Sequence, residues 1–365
     1  MAERAFPVAI EDVTPAWLTK ALGEACGLRG AKVTSFEAEP IGVGTGFLGV
    51  VSRIRLNYDC DAPAAPKSVI IKLPSHDPGA RMITSTFRHY EKEVRFYEQL
   101  ARLNNLSTPT AYFHAFDHES GDFALILEDL APARNGDQVA GLTIDDARTA
   151  VIALAKMQAQ WWERPALHVF DWLPAFNDPA MLALQDVFLQ CWGPYRAFLG
   201  DRVPAELIPV GDRLGRMITR VMQCLACKPC TIVHGDYRAD NFFFDRGGEP
   251  FTVVDWQIVI KGVGAFDLAY LLAGNVTVEN RREHEDYLVK LYHHHLVENG
   301  VEDYDFETCW RDYRTCVLIA WIWPVIAIGS LDPSNERGVA FFHEWSHRAM
   351  TAVVDLKAWE TLDDF

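Results

Sequence analysis

The spacing of apolar residues predicts a β-rich first third of the chain and a mostly helical remainder. Apolar residues recur at helical intervals after Thr14-Pro15, a pair that favours a helix start. The period then changes to the alternating or short apolar runs that are typical of strands. The predicted strands are 33–40, 50–58, 68–73, 111–116 and 123–127, with a helix over about residues 87–103 between the third and the fourth.

Beyond Leu142 the pattern is helical except around one short sheet. Helices are predicted over 143–163, 179–199, 206–226, 278–299, 306–328 and 334–359. Three apolar runs, 231–233, 242–244 and 251–254, predict strands, and Gly247-Gly248 predicts the turn between the last two. A Pro- and Gly-containing stretch up to Gly141 is typical of a domain boundary. The chain is therefore predicted to be an α+β protein with one lobe over 1–128 and a mostly helical lobe over 129–365.

Side chains with oxygen donors stand at the ends of these short strands. Asp236 and Asn241 lie between the first and second strand, and Asp255 follows the third. If the second and third strands pair, all three side chains come to the same end of the sheet. Carboxylate and amide oxygens suit Mg²⁺ rather than zinc or iron. Phosphoryl transfer uses this residue set, with one Asp orienting and deprotonating the attacking hydroxyl while an Asn and a second Asp hold Mg²⁺.

Two further residues of the loop leave alternatives open. His234 is either a packed histidine or a brace that keeps Asp236 at its angle. Arg238 is either a surface charge or a guanidinium that pairs with a phosphate or with Asp236. Asp240 is interpreted as a surface residue. A single Asp in a loop is usually solvated or capping, so the prediction rests on the whole string of residues.

The predicted first lobe contains a glycine-rich loop and a lysine within a strand. Gly44 and Gly46 lie in segment 41–49, where a backbone without Cβ atoms can lie close over phosphates, although many hairpins carry several glycines. No Gly-Lys-Ser/Thr follows, so the segment is not a Walker loop. Lys72 is either an edge-strand charge or a buried cation with a partner on the next helix. Glu93 borders the apolar face of that helix and is the chosen partner.

The order His234-Gly235-Asp236, Asn241, Asp255-Trp256-Gln257 resembles that of the aminoglycoside phosphotransferase superfamily of small-molecule kinases. Within it, the sequence is most similar to the ecdysteroid-kinase-like (CHK-kinase-like) group. The resemblance covers about residues 33–272, and the last three helices match only in character. It implies a two-lobed protein-kinase-like fold with an antiparallel sheet and a helix in the N-lobe. No Ala-Pro-Glu segment separates Asp255 from the next helix, which disfavours a protein acceptor.

The same resemblance implies how a nucleotide is held. Lys72 matches the kinase lysine that holds the α and β phosphates, and Glu93 stands at the position of its ion-pairing glutamate. Glu128 and Leu130 belong to the segment that links the lobes, whose backbone groups hold the adenine ring in kinase-like folds. The implied cofactors are ATP and Mg²⁺.

Polar residues of the helical lobe receive supporting or neutral interpretations. Asp267 either caps its helix or, as the resemblance implies, anchors the loop from behind. Gln158 stands where related families often carry a histidine. The remaining clusters are interpreted as packing residues (Cys224, Cys227 and Cys230) and as positions spread around a helix (His293, His294 and His295).

Composition narrows the possible partners. A formal net charge of −16 over 365 residues argues against nucleic acid, because a phosphate polymer would be repelled. The most apolar run, 317–329, has 13 residues, is interrupted by Pro324 and falls short of a membrane span. No signal peptide is visible and the eight cysteines lack an extracellular context, so we expect a cytoplasmic protein. The oligomeric state is not indicated.

These observations together predict an ATP- and Mg²⁺-dependent phosphotransferase that acts on a hydroxyl of a small molecule. The alternative is a catalytically inactive nucleotide-binding regulatory module of the same fold. Steroid-like alcohols, aminoglycosides, macrolides, choline-like amines and sugars all remain open as acceptors, as does the choice between ATP and GTP.

Overall fold

The chain folds into two compact units in a computed structural model that describes residues 5–26, 28, 30–41, 48–246, 249–330 and 335–365. The first unit comprises Met1–Leu103 and Thr108–Ala133, and the second comprises Asn104–Ser107 and Arg134–Phe365. None of the helices in these ranges combines the length and the apolar content that a membrane crossing requires.

In its described residues, the first unit consists of an antiparallel sheet and three α-helices. The elements in chain order are α1 (Pro15–Cys26), β1 (Val33–Pro40), β2 (Gly49–Tyr58), β3 (Ser68–Pro74), α2 (Pro78–Thr86), α3 (His89–Arg95), β4 (Ala111–Phe116) and β5 (Phe123–Glu128). The five strands lie in the order β1-β2-β3-β5-β4. After α3 the chain continues as a π-helical turn, Phe96–Leu100. The glycine-rich loop that was predicted to cover phosphates, with Gly44 and Gly46, lies outside the described residues.

Period-two alternation in β3 determines which side chains enter the core of this unit. Val69, Ile71 and Leu73 are buried in one apolar cluster with Leu18 and Leu22 of α1. Successive side chains of a strand point to opposite faces. The residues between them, including Lys72, therefore lie on the other face of β3.

The second unit is mostly helical and contains two small sheets. Its elements in chain order are β6 (Arg134–Asn135), α4 (Ile144–Trp161), α5 (Pro179–Leu182), α6 (Leu184–Leu199), α7 (Leu207–Gly215), α8 (Ile218–Leu225), β7 (Thr231–Val233), β8 (Phe242–Arg246), β9 (Glu249–Val253), β10 (Ile260–Gly262), α9 (Ala265–Asn275), α10 (Val278–Glu298), α11 (Phe306–Ala320), α12 (Ile322–Ala327) and α13 (Glu336–Asp355). Strands β6, β8 and β9 form one antiparallel sheet, and β7 pairs with β10.

Three predicted helices are each divided in the structure. The segment predicted as 179–199 forms α5 and α6, the segment predicted as 206–226 forms α7 and α8, and the segment predicted as 306–328 forms α11 and α12. In the last case Pro324 has no N–H to donate to the carbonyl of Ala320, and α11 ends at Ala320. The short strand β10 and the helix α2 were not predicted.

A four-residue segment from the earlier part of the chain belongs to the second unit. The amide of Val253 in β9 donates to the carbonyl of Ser107 at 3.0 Å. The hydroxyls of Ser107 and Thr252 are 3.1 Å apart, and the amide of Asn105 donates to the side chain of Gln160 in α4. The edge of the β6-β8-β9 sheet is therefore completed by residues that precede the rest of that unit by some thirty positions in the sequence.

Candidate active site

The loop between β7 and β8, residues 234–241, depends on a glycine at its second position. Gly235 has φ +85, which is the left-handed region that disfavours side chains. A Cβ atom there would lie 2.7 Å from the carbonyl oxygen of Ile258 and 2.9 Å from its Cγ2. Glycine therefore allows the loop backbone to turn sharply at the end of β7 while lying against Ile258.

Asp267 at the start of α9 holds this loop from behind. Its carboxylate accepts the backbone amides of His234 at 2.7 Å and Gly235 at 3.0 Å, and Nε2 of Gln158 at 3.3 Å. Full burial raises the pKa of the Asp267 carboxyl to about 7, against the lowering effect of these hydrogen bonds. The anchoring contact implied by the resemblance is present, and Gln158 in α4 supports it.

His234 is a buried neutral imidazole whose two nitrogens both have partners. Nδ1 accepts the backbone amide of Asp236 at 3.2 Å, and Nε2 lies 3.0 Å from the carbonyl of Val254. These partners require the tautomer with the proton on Nε2. Burial lowers the pKa of His234, which favours the neutral form, and Trp256 packs against its ring at 4.5 Å. The geometry fits a brace between the loop and the strand that leads to Asp255.

The Asp236 carboxylate is held by three donors and is 8% exposed. Oδ2 accepts Nε of Arg238 at 2.9 Å and Nδ2 of Asn241 at 3.0 Å. Oδ1 accepts the hydroxyl of Tyr270 at 3.0 Å. The carboxylate therefore has one defined orientation, and its two oxygens differ in their surroundings.

Arg238 bridges two carboxylates instead of extending into solvent. Its guanidinium also contacts Oδ2 of Asp240 at 2.9 Å and lies 5.9 Å from the centre of the Phe341 ring in α13. Burial alone would lower the pKa of Arg238, but Asp236 and Asp240 raise it above its usual value. Of the predicted alternatives, the structure has the pairing with Asp236.

The interpretation of Asp240 as a surface residue was wrong. Its side chain is 16% exposed, with Oδ2 paired to Arg238 and Oδ1 accepting the backbone amide of Gln138 at 2.9 Å. Gln138 follows β6 and is separated from the loop by about a hundred residues, so no local pattern marks the contact. Asp240 thus fixes the far side of Arg238.

Asn241 and Asp255 come together through the pairing of β8 with β9. Phe242 pairs with Val253, and the amide of Val254 donates to the carbonyl of Asn241 at 3.0 Å. Asp255 follows directly, in the left-handed region at φ +67. Among the described residues, Nδ2 of Asn241 donates to the backbone carbonyl and to Oδ2 of Asp236. Gln257 donates to Oδ2 of Asp255 at 3.2 Å.

The first unit contains the ion pair between Lys72 and Glu93 that the sequence predicts. Nζ of Lys72 lies 2.6 Å from Oε1 of Glu93, which is 1% exposed. Glu128 ends β5, and its Oε2 accepts the amide of Thr110 at 3.1 Å. Leu130 is buried, and its carbonyl accepts the amide of Ala133.

Sequence reasoning missed two contributors on α9. Tyr270 reaches Asp236, and Oδ1 of Asn275 accepts the amide of Ala239 at 2.8 Å while its Nδ2 donates to the carbonyl of Tyr270. Together with Asp267 they are the polar side chains in an otherwise apolar helix. Spacings of three and five residues in such a run are the signal that could have found them.

The two other polar clusters differ in their geometry. His294 and His295 are adjacent to Glu298, and the potential ligand atoms of the three lie within 4.8 Å of one another. Glu298 follows these two histidines at four and three residues, where helical side chains meet, whereas Nε2 of His293 lies 2.8 Å from the carbonyl of Tyr304, so the three consecutive histidines do not converge on one point. Among the described residues, the cysteines at 224, 227 and 230 form no comparable group.

Comparison with known proteins identifies a family and a fold. The sequence profile of the "Ecdysteroid kinase-like family" matches residues 43–161 and 179–302. No curated protein sequence matches significantly. A crystal structure of choline kinase from Cryptosporidium parvum is similar with a TM-score of 0.55 and 9% identity, covering 90% of this chain and 93% of that one. A choline/ethanolamine kinase family protein from Mesorhizobium loti is similar with a TM-score of 0.52 and 16% identity, covering 95% and 98%. These likenesses confirm the predicted two-lobed, kinase-like α+β fold.

Proposed function

The chain belongs to the ecdysteroid kinase-like family, and on this premise we propose that it transfers the γ-phosphoryl group of ATP to a hydroxyl of a small molecule in the presence of Mg²⁺. One observation carries the proposal, namely that Asp236 and Asn241 share hydrogen bonds while strand pairing brings Asp255 next to Asn241. The side chains proposed as the base and as the two oxygen ligands therefore all belong to the β7–β8 loop or follow β9.

In the proposed reaction, Asp236 receives the acceptor hydroxyl. The hydroxyl oxygen forms a bond to the γ phosphorus, the bond from that phosphorus to the β–γ bridging oxygen breaks, and ADP leaves. The hydroxyl proton passes to the Asp236 carboxylate. Because phosphoryl transfer has a loose transition state, the protein contributes mainly by positioning and by compensating charge. The three donors to Asp236 suit it to positioning, since they fix the direction of its free lone pairs.

The donor set next to Asp236 fits a magnesium ion. Asn241 offers an amide oxygen because its nitrogen is engaged with Asp236, and Asp255 offers a carboxylate. Hard oxygen donors in this number are typical of Mg²⁺ sites that are completed by substrate phosphates and water. When bound, the ion would neutralise charge on the nucleotide phosphates. Asn241 and Asp255 are the residues that would hold it.

The Lys72–Glu93 pair is proposed to contact the α and β phosphates. A lysine whose ammonium lies 2.6 Å from a buried glutamate has a restricted position, which favours binding of an anion. Glu128 and Leu130 are proposed to offer backbone groups to the base of the nucleotide. Gly44 and Gly46 remain a prediction for the phosphate loop.

The second candidate function is a nucleotide-binding regulatory module without catalysis. All the groups that the reaction needs are present in the sequence, which favours the enzyme. Consumption of ATP by the wild-type protein, measured with Mg²⁺ across a panel of small-molecule alcohols and without any acceptor, separates the two. Binding of ATP without turnover for any member of the panel would favour the regulatory module.

Replacement of Asp236 tests the assigned role. Asp236→Asn is expected to lower kcat at least about a hundredfold, because general base catalysis typically contributes that much. The affinity for a non-hydrolysable ATP analogue should change little. Asp312→Asn is the matched control, since Asp312 is a buried carboxylate of the same unit that pairs with Lys228. Equal losses of turnover and of nucleotide affinity in Asp236→Asn would refute the role of base.

A further inference from the structure

The two carboxylate oxygens of Asp236 differ in their hydrogen bonds, and the hydroxyl of Tyr270 is bonded to Oδ1. Oδ2 accepts two donors, Arg238 and Asn241, whereas in the described chain the hydrogen bond to Oδ1 comes from Tyr270 at 3.0 Å. Each carboxylate oxygen can accept about two hydrogen bonds. Oδ2 is therefore saturated by protein donors, and Oδ1 retains the capacity to accept one more.

We propose that Tyr270 is a positioning residue that presents Oδ1 of Asp236 to the acceptor hydroxyl. The inference rests on the proposed function and extends it by assigning the accepting oxygen and the residue that aims it. Two hydrogen bonds to Oδ2 fix that oxygen but allow the carboxylate to pivot about it. The third bond, to Oδ1, removes this freedom and sets the direction of the remaining lone pair.

The mounting of Tyr270 is suited to this task. Its carbonyl accepts Nδ2 of Asn275, and the same Asn275 accepts the loop amide of Ala239. Three residues before Tyr270, Asp267 holds the first part of the loop. Helix α9 thus contacts the loop on both sides of Asp236. These contacts fix the position of the Tyr270 hydroxyl relative to the Asp236 carboxylate.

Packing and protonation keep the hydroxyl in place as a donor. The Tyr270 ring lies between Phe266 and Trp345, with ring centres 5.9 and 6.1 Å away. Burial, together with the charge of Asp236, raises the pKa of Tyr270 well above its usual value. The phenol therefore stays protonated, donates a hydrogen bond to Oδ1 and does not compete with Asp236 as a base.

The experiment compares Tyr270→Phe with Tyr313→Phe. Tyr313 is likewise a buried residue of the second unit, and its hydroxyl also donates to a carboxylate, that of Glu285 at 2.7 Å. The assay is single-turnover phosphoryl transfer from ATP to the alcohol of the panel that the wild type accepts best. The rate is expected to fall about tenfold to a hundredfold in Tyr270→Phe, since a hydrogen bond to a charged group is lost. The KM for ATP should stay within about twofold, because the nucleotide contacts are unchanged. Tyr313→Phe should retain the wild-type transfer rate.

A crystal structure of Tyr270→Phe provides a readout that does not depend on turnover. The Asp236 carboxylate is expected to pivot about Oδ2, which keeps its hydrogen bonds to Arg238 and Asn241, so that Oδ1 is displaced. An unchanged carboxylate together with wild-type transfer rates would overturn the proposal, as would a loss of transfer that Tyr313→Phe reproduces. If the wild-type protein transfers phosphate to no acceptor, the proposed function fails, whereas a rotated carboxylate in the variant would still support the positioning contact.

Discussion

Replacement of Gly235 by alanine separates the two reasons for a glycine in the loop 234–241. The positive φ of this residue is one reason, and the approach of its Cα to the carbonyl of Ile258 is the other. Gly300, which follows α10, has φ +93 and no heavy atom within 4 Å of the position of a Cβ. Gly300→Ala therefore measures the backbone effect alone and is the matched control.

The expected magnitudes follow from the geometry. A left-handed backbone with a Cβ costs about 1 kcal/mol or slightly more, which is all that Gly300→Ala should lose. At Gly235 the new atom would lie 2.7 Å from a backbone oxygen that cannot swing aside as a side chain does. Overpacking of this kind adds about 1–3 kcal/mol, so we expect a total of about 3 kcal/mol for Gly235→Ala.

Thermal unfolding and turnover together check this expectation. For a unit of this size, about 1 kcal/mol lowers Tm by about 2–4 °C, so Gly235→Ala should lose about 6–12 °C and Gly300→Ala about 2–4 °C. ATP turnover should fall only in Gly235→Ala, because its neighbours His234 and Asp236 move with the displaced loop. Equal changes of Tm in the two variants, or full turnover by Gly235→Ala, would show that the contact with Ile258 does not shape the loop.

Two further predictions concern charge. Glu93→Gln should lower kcat/KM for ATP about tenfold to a hundredfold, because a charge-assisted hydrogen bond to Lys72 is lost. The control is Arg55→Gln, which removes an exposed ion pair with Glu39 and should have little effect on kcat/KM. Similar values of kcat/KM for both variants would contradict a role of Glu93 in nucleotide binding. In urea unfolding, the stability of the wild type relative to His234→Gln should decrease as the pH falls below about 6.5, because the unfolded imidazole takes up a proton there while the buried one, with its lowered pKa, does so only at lower pH. Asp267 contributes in the opposite direction, because its raised pKa of about 7 favours the folded state as the pH falls, and comparing the wild type with His234→Gln cancels this contribution. If the difference in unfolding free energy between the two proteins were independent of pH, the neutral buried state of His234 would be refuted.

The sequence was sufficient to predict helices and strands that have a clear apolar period, and contacts between residues at the ends of neighbouring strands. The alternation around Lys72 left two interpretations of the lysine, and the apolar stripe beside Glu93 together with the family resemblance selected the partner that the structure shows. Two short strands were sufficient to predict that Asn241 lies next to Asp255. The contacts that escaped prediction join distant segments. Gln138 meets Asp240 across about a hundred residues, and Tyr270 reaches Asp236 from a helix that is apolar along most of its length. The spacing of polar residues in α9 marks Tyr270 as a candidate, but its partner depends on how the helix packs against the loop.

The segment 104–107 has a consequence for how this protein can be divided. Ser107 supplies the acceptor for the amide of Val253 and the hydroxyl beside Thr252, although the bulk of the same unit begins only at Arg134. A fragment that begins at Arg134 would expose an unpaired edge two residues from Asp255, at the base of the proposed metal site. Such a fragment therefore lacks part of the second unit, and a circular permutant or a fused tetrapeptide strand would be needed to isolate that unit by itself.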